Sequence, residues 1–219
     1  MQAATLASLQ GNLSGTRGKC LVINHIPMVN QGQKGYCVPA TYSMGLLYFG
    51  LDVNQYDTCL FIANWTDIEV FLRKMNLKFR RDSYEIGYRA PKGFAPRDPI
   101  FRKYNKKKPS GYPALPNAEK IYNEYDKWKD RIDTGLLFSL CENHRLFQGF
   151  RKYIINSIDI GVPVFWGVPG HARMIIGYDL PRKEIIYRDT WGIDHAQKRM
   201  SIYEAFLITN ECSTITPLK

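Results

Sequence analysis

The sequence predicts an α+β fold, and three observations carry that expectation. The strongest helical patterns fall in the first two-thirds of the chain. After about residue 162 the composition turns to β-branched and aromatic runs. Turn chemistry such as Asp179-Leu180-Pro181 then joins those runs as consecutive antiparallel strands. The 219 residues, 45% hydrophobic and 23% charged, have the length and composition of a globular chain with a real core, read here as one domain over 1–219. There is no internal repeat and no low-complexity segment.

Residues 1–19 read as a polar lead-in. Residues 20–30 (CLVINHIPMVN) read as a short strand that runs into the Gly-rich turn NQGQKG. CVPATYSMGLLYFG (37–50) is a buried helix: Pro39 suits its first turn, Ala40, Met44, Leu47 and Tyr48 follow helical spacing, and Gly50 suits its stop. Thr66-Asp67-Ile68-Glu69 matches a capping box that opens a helix to about Met75. From Leu77 to about Leu115 the chain is rich in Pro, Gly, Tyr and basic residues, which predicts a long irregular connection, and 77–135 as a whole reads as an insert. Within it, residues 117–132 read as a polar helix capped by Asn117. A helix from Arg145 to Asp159 ends at Gly161. The runs 162–168, 172–179 and 183–190 are strands, and Ser201-Ile202-Tyr203-Glu204 is a second capping box that starts a short helix.

Several function classes are excluded or lack support. No run of 18 apolar residues occurs, so no transmembrane helix is expected. The first residues lack the apolar stretch of a secretory signal. A soluble protein is expected; its compartment, and whether a longer form is exported, stay open. Five Cys are too few, and odd, for a disulfide scaffold. There is no CxxC, HxxxH, P-loop or GxGxxG, so zinc and nucleotide sites have no motif.

The net charge of +10 is concentrated. Residues 73–108 hold 13 Lys or Arg and 3 Asp or Glu, which accounts for the whole excess. Such a run fits either an anionic partner or a solvated basic loop. Tyr84, Tyr88, Phe94, Phe101 and Tyr104 are interleaved with these charges, as in single-strand nucleic-acid binders. No nucleic-acid module surrounds them, so nucleic acid is not expected, and aromatics packed inward with charges outward are.

The chemistry gathers elsewhere. Cys37 sits where a loop enters a helix, and backbone N–H groups and the helix dipole there favour a thiolate. Gln31 lies six residues before it, in Q-G-x-x-G-x-C, where its carboxamide and the Cys37 N–H can share an oxyanion once the two glycines fold the loop. Of four His, His171 starts a strongly β segment, G-H-A-R-M-I-I-G-Y, and can present a base rigidly. Asp189, in Y-R-D-T-W-G, falls on the next strand, where it can orient His171 and support its imidazolium. Trp191 can cover that pair. The remaining Cys20, Cys59, Cys141 and Cys212 read as buried hydrophobes. His25 reads as structural, His144 and His195 as surface, and Trp166 as core.

The three blocks Q-G-x-x-G-x-C, H-A-x-x-x-x-G-Y and D-x-W-G, in that order, resemble the papain-like cysteine peptidases. Asp189 stands where papain has Asn, and C-V-P-A-T is similar to the C-G-P-A of the bacterial bacteriocin-leader (double-glycine) peptidases, with Val38 in place of Gly. The chain is nearest to stand-alone relatives of the latter. The resemblance covers residues 24–50 and 162–192 and is silent on 77–135. It implies a papain-like fold whose N-terminal helical half carries Cys37 and whose C-terminal antiparallel sheet half carries His171 and Asp189. It implies a cysteine peptidase with a Cys37-His171-Asp189 triad and Gln31 at the oxyanion hole. Gly170 would offer backbone polar groups to a peptide or protein substrate, an acidic one among the candidates. No metal or organic cofactor is implied. The alternatives are another thiol acyl-transfer enzyme on the same scaffold (transglutaminase-like, amidase or isopeptidase) and a non-catalytic binding module that uses the basic insert.

Overall fold

The computed structural model describes residues 4–33, 35–62, 70, 72–82, 98–116 and 118–217. The chain opens with a short helix α1 (Leu6–Gln10), capped by Thr5, and a hairpin of β1 (Leu13–Thr16) and β2 (Cys20–Ile23). Residues 1–19 are therefore not a lead-in as a whole. Leu9 is 1% exposed, and α1 is seated so closely that a side chain at Gly161 would meet the Leu9 carbonyl at 2.6 Å. Polar residues at β1 hide a strand whose stability comes from pairing with β2 rather than from its own side chains.

The helix α2 (Cys37–Tyr48) runs as the spacing predicts, with Gly50 beyond its end at φ 84°. It is buried on all sides from Pro39 to Leu46, as expected of a helix that is apolar around its circumference. Tyr42 stacks on Phe165 with centroids 4.3 Å apart, and its hydroxyl meets that of Ser213 at 3.2 Å. The Thr41 hydroxyl donates to the Ala172 carbonyl at 3.2 Å. Gly45 lets the helix approach: a Cβ there would lie 2.4 Å from the Phe165 ring. Helix α3 (Gln55–Ile62) follows; the capping box at Thr66 falls outside the described residues.

The 77–115 stretch is not one irregular connection. It contains the strand β3 (Leu77–Asp82) and the helix α4 (Asp98–Lys107), and Phe101 and Tyr104 of α4 are core residues. Tyr84, Tyr88 and Phe94 lie outside the described residues. Helix α5 (Ala118–Trp128) is divided at Glu124, whose φ of −131° is not helical. Helix α6 (Thr134–Glu142) is capped by Asp133, which accepts from the Leu136 N–H at 2.9 Å. Helix α7 (Arg145–Asp159) ends as predicted, with Gly161 at φ 77°.

The predicted strands are present as β4 (Val164–Val168), β5 (His171–Asp179) and β6 (Glu184–Asp189), antiparallel in sequence. They are followed by β7 (Lys198–Ser201), a helix α8 (Ile202–Ile208) capped by Ser201, and β8 (Glu211–Pro217). One sheet holds all these strands in the order β1-β2-β5-β4-β8-β3, with β6 on β5 and β7 on β6. Along one side β5 pairs with β4 through residues 171–175 and with β2 through 177–179; β6 lines its other side. Between Ile175 and Gly177 the β5–β6 register shifts, leaving Ile176 as an extra residue.

Candidate active site

Cys37 is the first residue of α2, and its N-cap Tyr36 makes no side-chain cap. The α2 N-terminus thus keeps free backbone donors and the positive dipole end beside the thiol. The loop before it takes the left-handed turns that its glycines allow, with Gly32 at φ 66° and Gly35 at φ 67°. The Gly32 N–H donates to Asn30 Oδ1 at 2.8 Å, which tightens the turn.

Gln31 is tied to the residue after Asp189. Its N–H donates to the Thr190 carbonyl at 2.8 Å, and its Oε1 accepts from the Thr190 hydroxyl at 2.5 Å. With the carboxamide oxygen engaged, the group left to act on a ligand is the NH₂ donor. Thr190 is a site residue that the motif reading missed, although it stands inside D-T-W-G.

His171 begins β5, and Asp189 ends β6. In the antiparallel register Arg173 lies opposite Asp189, so His171 is the diagonal neighbour on the same face. His171 Nε2 meets Asp189 Oδ1 at 2.6 Å. That leaves Nδ1 for the Cys37 thiol. The His171 hydrogen bond holds the Cys37 thiol below its ordinary value, outweighing burial; the Ala172 and Val38 backbones and the His171 charge act in the same direction. Burial pulls His171 down, but its hydrogen bonds to Asp189 and Cys37 prevail and push it up to about 9. Burial raises Asp189, which is 3% exposed, yet His171 and Arg173 together hold it below the usual carboxylate range. The arrangement has the electrostatics of a thiolate–imidazolium pair backed by a carboxylate.

Arg173 was read only as a member of a strand. Its Nε donates to Asp189 Oδ2 at 2.9 Å. The signal was its place two residues after His171, which puts both on one face.

Trp191 contacts His171, with ring centroids 5.0 Å apart, and remains 58% exposed, so one face covers the imidazole and the other meets solvent. Gly170 is exposed at φ 65° in the two-residue turn Pro169-Gly170 that joins β4 to β5. A cavity of about 270 Å³ opens beside Cys37 and His171 and is also lined by Tyr42, Trp166, Glu211 and Ser213. Larger clefts of about 420 and 400 Å³ contain neither Cys37 nor His171.

The other singled-out residues fall as follows. Cys141 and Cys212 are buried, whereas Cys20 and Cys59 are only partly so. His25 is exposed at φ 61°. His144 is not a free surface residue: its Nδ1 accepts from the Leu146 N–H at 3.3 Å and caps α7. His195 packs edge-on against Trp191 at 5.9 Å. Trp166 is core, and its indole N–H donates to Thr209 at 2.8 Å. Among the described residues no three His, Cys, Asp or Glu are grouped to hold a metal, and no helix is long and apolar enough to cross a membrane.

Comparison with known proteins assigns the class. A family model described as Peptidase_C39 like family matches residues 23–211. The chain is a cysteine-type peptidase with the papain-like α+β fold. It belongs to the Peptidase_C39 like family. Among solved structures it is similar to a double glycine motif protease from an AMS/PCAT transporter, in complex with the leader peptide. That similarity is at 14% identity and a TM-score of 0.44, over 94% of this chain and 98% of that one. No curated protein matches.

Proposed function

We propose that the chain hydrolyses peptide bonds through a Cys37-His171-Asp189 triad, with residues 1–219 acting as one peptidase domain. The observation that carries this reading is the placement of His171, with Asp189 on Nε2 and the Cys37 thiol left to Nδ1. The Cys37 thiolate adds to the scissile carbonyl. The Gln31 NH₂ and the Cys37 backbone N–H receive the oxyanion. The C–N bond then breaks as His171 gives its proton to the leaving amine, and a thioester remains on Cys37. Water, deprotonated by His171, adds to the thioester; the C–S bond breaks and the acid departs. Asp189 keeps the tautomer and supports the imidazolium.

The cavity beside Cys37 and His171 is the place for a substrate side chain, with Gly170 and Trp191 flanking the peptide backbone. The basic excess of residues 73–108 favours an acidic polypeptide as substrate.

Activity needs thiolate and imidazolium together. It therefore rises where Cys37 ionises, below the ordinary thiol range, and falls as pH passes about 9, where His171 loses its proton. Trace iodoacetamide at about pH 6 should label Cys37 ahead of the other four cysteines, read by peptide mass spectrometry. Cys37→Ala should abolish peptide hydrolysis with an unchanged melt. Amine incorporation without hydrolysis would instead place the chain among the acyl transferases, and inertness in both assays would leave a binding module.

A further inference from the structure

We propose that Arg173 is a positioning residue for Asp189, and that through Asp189 its charge sets the pH window of the Cys37–His171 pair; this rests on the triad reading above. Three strands place it. Trp166, Arg173 and Asp189 are directly opposite one another across β4, β5 and β6, so they share one rung on one face of the sheet. The Asp189 carboxylate is held from both oxygens, by His171 Nε2 at 2.6 Å and by Arg173 Nε at 2.9 Å. The guanidinium is itself fixed, 5.2 Å from the Tyr187 ring centre and 5.6 Å from that of Trp166. A carboxylate this deeply buried is costly with a titrating imidazole as its only cation. Arg173 supplies a cation that does not titrate.

The second cation acts in two ways. It keeps Asp189 ionised at pH values where a buried carboxylate would take up a proton. It also offsets part of the negative charge that His171 meets, so His171 holds its proton less tightly than it would beside an unpaired carboxylate. Among the described residues, the other titratable groups in reach are Cys37 on α2 and Tyr187 on β6. Beyond Arg173, the cleft of about 420 Å³ brings Glu124, Asp126 and Lys127 of α5, Lys129 just after it, and Glu204 of α8. Those groups line a cleft that opens to solvent, where screening is stronger.

The test uses the full chain and the alkylation rate of Cys37 by iodoacetamide as a function of pH. Arg173→Gln keeps a donor for Asp189 and removes the charge; Arg173→Lys keeps the charge and loses the planar fork. Both are made in the wild-type background and in Asp189→Asn. In Arg173→Gln both inflections of the profile, that of Cys37 ionisation and that of His171 deprotonation, should move to higher pH, by on the order of half to one unit. In Arg173→Lys they should stay in place. In Asp189→Asn the Gln substitution should add a clearly smaller shift, because the route through the carboxylate is gone and only the direct field of the guanidinium on His171 remains. An unshifted Arg173→Gln, a shift in Arg173→Lys as large as in Gln, or a shift in Asp189→Asn as large as in the wild-type background would each overturn the inference. If Arg173→Gln does not fold, the Lys variant still decides, since displaced limbs there overturn it. A wild-type Cys37 with no advantage at pH 6 would sink the triad reading itself, an outcome distinct from all of these.

Discussion

At the residue scale, His171 is held by Asp189 and Gln31 by Thr190, each pair drawn from separate parts of the chain. Cys37 follows a glycine loop and opens a helix, and His171 opens a β run. The partners that hold them were harder to read. Arg173 is an ordinary strand residue and Thr190 the first turn residue after β6, and their importance comes from long-range placement that no local pattern records. The Gln31–Thr190 pair makes a graded prediction. Gln31→Ala should cost about 10²-fold in kcat, the size expected for one oxyanion donor. Thr190→Val should cost less than Gln31→Ala and should act on kcat rather than KM, because it frees the carboxamide without removing it. Steady-state kinetics on one peptide substrate checks both, and a fully active Gln31→Ala would end the oxyanion assignment.

At the element scale, the spacing predicted α2 and α7 and the three central strands, since each carries its own apolar periodicity and stop signal. It missed β3 and β8. Leu77–Asp82 carries three basic residues, and Glu211–Pro217 is rich in Ser and Thr. Those strands are made by pairing with each other and with β4, over separations that no local pattern records. Helix α6 had a readable sign in the Asp133 cap. The seat of α2 on the sheet depends on one missing side chain. Gly45→Ala drives a methyl into the buried Phe165 ring and should destabilise the fold by about 1–3 kcal/mol, the usual cost of overpacking. Urea unfolding measures this directly. If the strain is relieved by moving α2 rather than the Phe165 ring, fast labelling of Cys37 at pH 6 should weaken with it. A variant that melts like wild type would show that Phe165 yields freely.

At the scale of the whole molecule, the helical half and the sheet half are joined by contacts that the sequence kept far apart. Leu9 against Gly161 binds the first helix to the end of α7, and the Tyr178 hydroxyl reaches Asp159 at 2.6 Å and the Gly18 N–H at 3.0 Å. The opening residues looked dispensable because their polarity is all that composition sees. Leu9→Ala should lower stability by about 2–5 kcal/mol, as for other fully buried leucines, and thermal denaturation should report it. A melt unchanged within error would return residues 1–19 to the status of an appendage.

The extra residue at Ile176 has a consequence for how this molecule tolerates change. Up to Ile175, β5 is in step with β6 so that His171 and Arg173 share the Asp189 face. Past Gly177 the alternation is inverted, and Tyr178 turns to the side where Asp159 and Gly18 wait. Ile176 is thus a phase slip between two clocks, one timed to the His171–Asp189 pair and the other to assembly. Removing that one residue would leave the first clock running and put the second half a period out.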